Sequence, residues 1–299
     1  MKFISYRIST VLFVVALTFL TVPVPAFAGS ATWDLNPGSN DWNASNWTPQ
    51  SVPNGAFDTA TFDLSNTTVV SVTANTEVNG IVFNPNAAFN PFIITRTPGA
   101  TLFISGVGIT NNSGADQLFV VATNGSGSFG EIGFLNSATA GRDSVFTNNG
   151  ASVSAAGGGA TNFSDTSNAG SAIINNNNGG TTMFASGGET IFSAFSNANN
   201  SMLIANAGSG GQLGRPGGFG GAIFFNETST GGTARVELFG NGSIDISGHS
   251  APGVGIGSIE GSGNAFLGAN NLTVGSNGLS TAFSGVAQDG GSAGGRGGS

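Results

Sequence analysis

Large apolar residues and turn residues alternate in a fixed order through the middle of the chain. Phe134, Phe163, Phe192 and Phe225 head four copies of one unit, at steps of 29, 29 and 33 residues. Seven residues after each Phe comes a turn residue: Gly141, Gly170, Asn199 or Gly232. Eleven after it comes a branched aliphatic (Val145, Ile174, Leu203, Val236), and sixteen or seventeen after it a glycine (Gly150, Gly179, Gly208, Gly242). Self-similarity of this kind marks a solenoid in which each repeat covers its neighbour. The unit has no helical period, which excludes the helical repeats, and it is shorter than the roughly 40 residues of a propeller blade. One coil of a parallel β-helix fits. Strands are predicted near Phe163, near Ile173 and Ile174, and over 182–184, with counterparts in neighbouring coils. Equivalent residues then stack at about 4.8 Å: Phe on Phe, aliphatic on aliphatic, and Asn on Asn at the corners. Residues 175–178, all Asn, have a structural role on this reading, and a functional Asn-rich loop on the competing one.

The pattern outside the repeat is also strand-like. Alternation over 67–72, 77–84, 92–95 and 101–104, broken by Pro85 and by Pro98-Gly99, predicts short strands with turns about every ten residues. Strands are predicted again over 243–246, 258–261, 265–274 and at Phe283 to Val286. All three tryptophans, Trp33, Trp42 and Trp47, lie before this in a Pro- and Gly-rich segment. Either they seal the open end of the solenoid, the favoured reading, or they form an aromatic platform for sugar rings. The longer third step is absorbed over 210–218, where Arg215 sits in a Gly-rich stretch. Extended loops often carry function, so Arg215 joins the three tryptophans as a candidate ligand contact, although a plain Gly-rich surface excursion is the favoured reading of the loop. The organisation expected is a leader over 1–28, a Trp-rich cap over 29–66, a β-helix over 67–287 with the clear repeats at 134–242, and a Gly-rich end over 288–299 that is disordered or cut short.

Composition narrows the class. Charged residues make up only 7% of the chain against 39% hydrophobic, with 50 Gly, 24 Phe and no Cys. Regularly recurring Phe and Ile argue for a folded β structure rather than disorder. Lys2 and Arg7 precede an apolar run and Ala26-Phe27-Ala28, the layout of a secretory signal cleaved before Gly29. Of 7 basic and 15 acidic residues the leader takes two basic ones, leaving a net charge of −10 and no Lys. That balance gives no electrostatic footprint for nucleic acid or anionic lipid, and no span crosses a membrane once the leader is gone. Lack of Cys removes the disulfide route to stability in an exported chain.

Candidate chemistry is sparse. His249 is the one histidine and is expected to be a turn residue beside Pro252; alone it makes no metal site. Glu131, Asp165 and Glu227 fall near equivalent places beside the repeat Phe and are expected to line one face. Polysaccharide lyases on β-helices need clustered acids and a basic catalytic residue, a constellation not visible here. No catalytic residue, cofactor or metal is assigned.

The Phe-x-x-x-Ser-x-Ala-Gly-x-Ala-x-Ile pattern at Phe163 to Ile174 resembles passenger regions of bacterial autotransporter-like proteins. The opening Trp33…Trp42-Asn43-x-x-Asn46-Trp47-Thr48-Pro49, Asp58-Thr59-Ala60-Thr61-Phe62, Gly257-Ser258-Ile259-Glu260-Gly261 and Asn271-Leu272-Thr273-Val274-Gly275 are similar to the same family. The resemblance implies an all-β, right-handed parallel β-helix from a Gram-negative source, displayed at the outer membrane or released, with a membrane barrel on a longer chain. The function expected is a non-catalytic adhesin or stalk, holding surface glycans or matrix components through repeated polar surfaces. A carbohydrate-active enzyme on the same fold and a structural surface component are the alternatives.

Overall fold

A computed structural model describes residues 29–210 and 217–299. The expected leader over 1–28 and Arg215 lie outside the described residues. What is described is a parallel β-helix, and its only helical element is one turn at Pro85–Ala88. Strands go alternately to two long sheets, the first of twelve strands and the second of eight. Thus Glu131–Phe134, Ala160–Phe163, Glu189–Phe192 and Ala222–Phe225 pair in the first, while Ser144–Asn148, Ile173–Asn176, Met202–Ala205 and Arg235–Leu238 pair in the second. Residues alternate inward and outward along each strand, and the inward rows of both sheets share one core.

The first sheet carries the Phe ladder. Phe134, Phe163, Phe192 and Phe225 are in register and fully buried, with ring centroids 4.8, 4.9 and 4.9 Å apart and each pair of planes at 9°. The turn residues behave as their spacing predicts: Gly141, Gly170, Asn199 and Gly232 have φ of 76°, 58°, 49° and 56°. That left-handed conformation suits Gly and Asn.

Val145 departs from the expected ladder. The second sheet pairs Phe146, not Val145, with Ile174, and Leu203 and Val236 follow in register. Phe146 is buried, and its ring stacks on Phe119 at 4.8 Å, whereas Val145 faces outward. The first repeat has one more residue than its neighbours between Gly141 and Ser144, taken up at Asp143 with φ of 52°. A slip of one residue turns every side chain of a strand to the other face.

Each of the four repeats has two strands, not three; only in the later coils does a third pair form, Gly253–Ile256 with Asn271–Val274. Residues 182–184 form a turn, with Phe184 at φ of 59° and 38% exposed. The core is closed off from them by paired side chains. Asn148 donates to Asn176 at 2.8 Å, and both are fully buried. Thr161 and Thr190, from the first sheet, donate to their Oδ1 atoms at 2.8 and 2.9 Å. Beyond this polar seam only a small satellite cluster forms, from Ala151, Ala156 and Ala185 with Val153. A second Asn stack, Asn206 to Asn177 to Asn149 at 3.4 and 3.2 Å, runs beside it at the corner.

The two ends also differ from expectation. Gly55–Phe62 pairs in parallel with Thr76–Phe83, so the solenoid already begins within the segment expected to be cap. The cap itself is Ala31–Trp33 closed by the antiparallel Trp47–Thr48. The Gly-rich end is ordered against the last coils: Ser292 donates its backbone N–H to Asp245 at 2.7 Å, and Leu272 donates to the Ser299 carbonyl at 2.7 Å. With no side chain to hold the backbone away, glycine lets the strand ends lie flat on the coil below.

Candidate functional site

The tryptophans are not a binding platform. Trp33, Trp42 and Trp47 are 2%, 0% and 0% exposed. Trp47 packs edge-on against both others, at 5.1 Å from Trp33 and 4.9 Å from Trp42. Each indole N–H donates to a backbone carbonyl: Trp33 to Thr67, Trp42 to Pro53 and Trp47 to Trp42. A ring that is buried on both faces and satisfied at its one donor belongs to the core. Phe62 continues the stack into the first coil.

The expected acidic face divides as well. Asp165 and Glu227 do share a row, two residues past the repeat Phe. Each carboxylate accepts a backbone N–H from the coil before it, Asn136 at 2.8 Å and Ala194 at 2.6 Å. These bonds tie together tight turns in which Asn136, Asp165, Ala194 and Glu227 all have φ between 53° and 56°. Glu131 precedes the Phe and stands in a different row, where its register partners lead through Ala160 to Glu189. The His249 ring nitrogens lie 2.6 Å from the Ser250 carbonyl oxygen and 2.7 Å from that of Ser229, so the ring bridges neighbouring turns.

A concave site lies on the outer face of the first sheet. It is a groove of about 620 Å³. Its floor comes from two outward rows. One is Glu189, Ala222, Ser243 and Asn264, which are register partners across four strands. The other, two residues on, supplies Phe224, Phe266 and Gln288. Phe224 and Phe266 flank Asp245 in that row, two strand spacings apart, or about 9.6 Å. The wall is backbone-rich: Ser186, Gly187, Phe219, Gly220 and Asn241. A Cβ on Gly187 would lie 2.1 Å from the Gly220 carbonyl oxygen, so the coils meet there backbone to backbone. That close approach brings Phe219 and Asn241 level with the floor.

Two aromatic rings in the floor and one in the wall offer apolar faces. Asn241, Ser243, Asn264 and Gln288 offer donors and acceptors around them. Among the described residues Glu189 is the one ionisable group lining the groove, and burial pushes its carboxyl above the usual range. Asp245 is nearby but only 5% exposed; it accepts from Ser247 N, Ser247 Oγ and Ser292 N at 2.9, 2.6 and 2.7 Å. The groove therefore presents one unengaged carboxylate, where glycoside hydrolysis uses a pair. Among the described residues the lining has no cationic side chain, and it offers apolar faces together with hydroxyl and amide groups.

Sequence reading passed over Phe219, Phe224, Phe266 and Asn241 as site residues. One signal was available: Phe224 and Phe225 are adjacent in a strand, so period-two alternation must turn one of them outward. Among the described residues no helix is long and apolar enough to cross a membrane. Comparisons with family models, with curated proteins and with solved structures found no match to this chain.

Proposed function

We propose that this chain is a non-catalytic, exported β-solenoid that binds an uncharged carbohydrate of a cell surface or matrix in the groove on its first sheet. The observation that carries this reading is the pairing of Phe224 and Phe266 with a rim of amide and hydroxyl side chains. Sugar rings have apolar faces that stack on aromatic rings and hydroxyls that need partners, and burying a polar group without one is costly. Among the described residues no three His, Asp or Glu side chains are grouped as a metal site, and the groove's single carboxylate favours binding over hydrolysis or elimination. The signal-like start and the resemblance of the Phe163 to Ile174 pattern to autotransporter passengers support display at an outer membrane, with a barrel carried on a longer chain.

The test is a glycan array followed by calorimetry on the best neutral hits. Phe224→Ala and Phe266→Ala, whose rings lie outside the core, should each weaken binding roughly tenfold, about 1.4 kcal/mol, and leave the melting temperature unchanged. Binding that survives both substitutions would place the ligand elsewhere. Cleavage of the bound glycan, lost in Glu189→Gln, would replace this reading with the enzyme.

A further inference from the structure

The groove on the first sheet runs along the solenoid axis, across the strands. Its floor is a register ladder: Glu189, Ala222, Ser243 and Asn264 come from four successive strands of the sheet, and Gln288 lies on a fifth. The wall climbs in the same direction, because the turns before these strands stack backbone on backbone. A Cβ on Gly220 would lie 2.5 Å from the Gly242 nitrogen. Five strands make four spacings, so the groove is about 19 Å long. Its depth comes from Ala222 and Ser243, small side chains between the Phe row on one side and Phe219 and Asn241 on the other. Along this axis the aromatic rings keep a fixed interval. Phe224 and Phe266 share one outward row, with one strand between them. Adjacent strands of this sheet hold the buried Phe rings 4.8 to 4.9 Å apart, so equivalent positions two strands apart are separated by about 9.6 Å. Asp245, between the two, is buried and its carboxylate is engaged by Ser247 and Ser292.

We infer that the ligand is an extended β-1,4-linked pyranose chain lying along the solenoid axis, an inference that rests on the carbohydrate reading of this groove. The interval between the rings selects the linkage. In a β-1,4-linked chain each sugar ring is turned over relative to the one before it. Every second ring therefore presents the same face, and that two-ring repeat matches the two-strand interval from Phe224 to Phe266. One sugar ring stacks on Phe224 and the next but one on Phe266, while the ring between them passes over Asp245. Hydroxyls along the edge of the ribbon meet Asn241, Ser243 and Asn264, so they keep partners as they leave water. An α-1,4-linked chain coils instead, and it leaves a straight groove after one aromatic contact. With one sugar ring to each strand spacing, the length of the groove holds about four rings.

The experiment is calorimetry of the protein with β-1,4-linked oligosaccharides of glucose and of N-acetylglucosamine, from disaccharide to hexasaccharide, beside α-1,4-linked glucose chains of the same lengths. A disaccharide reaches one Phe, so for the sugar that binds, affinity should rise about tenfold from disaccharide to tetrasaccharide and level off beyond it. The α-linked series should stay weak at every length. Phe266→Ala should bring the tetrasaccharide down to the affinity of the disaccharide. Phe266→Ala combined with Gln288→Phe returns a ring to the same row at three strand spacings from Phe224, about 14 Å, out of step with the sugar repeat. That variant should not recover the loss. Melting temperatures show that the variants are folded, and the length series on the unaltered protein stands without them. Equal affinity for the two linkages, no gain from disaccharide to tetrasaccharide, or recovery in the double variant overturns the inference and leaves a carbohydrate groove standing. So does a glycan array whose neutral hits include no β-1,4-linked chain. Binding to no glycan at all overturns both.

Discussion

Phe163 and Phe192 lie face to face, ring centroids 4.9 Å apart and planes 9° from parallel. They are 29 residues apart in the chain, one full coil. A phenyl ring carries no polar atom that needs a partner, so register brings the two rings together without a hydrogen bond. Phe163→Ala removes the middle of the ladder and leaves a cavity between Phe134 and Phe192 that the two sheets cannot close. The expected cost is about 3–5 kcal/mol, as for large core truncations, read as a lower midpoint in denaturant. Phe195→Ala, at a 69% exposed position, should stay within about 0.5 kcal/mol.

That ladder was legible because one residue type recurs at nearly constant spacing and the sheets obey it. Val145 misled for an equally physical reason. The additional residue before Ser144 is absorbed in a left-handed turn at Asp143, and counting from Phe134 cannot reveal where a turn takes up a residue. The strand expected over 182–184 failed because alternation says which residues are apolar, not whether the core reaches them. Here Asn148 and Asn176 end the core first. The groove was least legible: Glu189, Phe224 and Phe266 belong to three different strands and meet only through register.

Asn176 joins three groups at the polar seam. Its Oδ1 accepts from Asn148 at 2.8 Å and from Thr190 at 2.9 Å, while its Nδ2 donates to the Ala222 carbonyl at 3.1 Å. Asn176→Ala leaves the Thr190 hydroxyl without its partner in a dry interior and takes one bond from the Asn148 amide, which keeps its donation to the Glu189 carbonyl at 2.7 Å. A buried group left without its partner costs about 1–3 kcal/mol. The double variant Asn176→Ala with Thr190→Val should lose less than the sum of the single ones, because it removes a stranded partner as well. Equilibrium unfolding of all three variants checks the coupling.

Among the described residues Arg96 is the one cation in the core. Register places it inward, between Val72 and Val121, and it is 0% exposed. Its guanidinium nitrogens have no hydrogen-bond partner among the described residues. Burial pushes its pKa down to about 10, against the opposing pull of the Glu131 carboxylate. Below that pH the folded state carries a charge it solvates poorly. Arg96→Met should therefore stabilise the protein at pH 7, by about 1–4 kcal/mol if it behaves like other buried charges replaced by apolar residues. The sign follows from the lowered pKa: the unfolded chain holds the proton more tightly, so wild-type stability rises as pH climbs past about 10. The advantage of Arg96→Met should shrink over the same range, and melting curves of both proteins across it show whether it does.

Glu189 gives the opposite sign to an ordinary surface carboxylate. Burial in the groove raises its pKa above the usual value. Below the unfolded pKa both states are protonated and the residue costs nothing. As pH rises through that value the unfolded chain ionises first, and the folded state is penalised fully once pH exceeds the raised folded pKa. Glu189→Gln keeps the size and removes the charge, so it should raise the melting temperature at pH 7 and leave it unchanged near pH 3. A paired, stabilising carboxylate would do the reverse, losing stability on substitution at neutral pH. The same variant bears on the groove. If Glu189 only accepts hydrogen bonds from a neutral sugar, the amide retains an acceptor, and affinity should change by less than the loss caused by Phe224→Ala. Calorimetry on both variants at pH 7, beside their melting curves, separates a residue that shapes the groove from one on which binding depends.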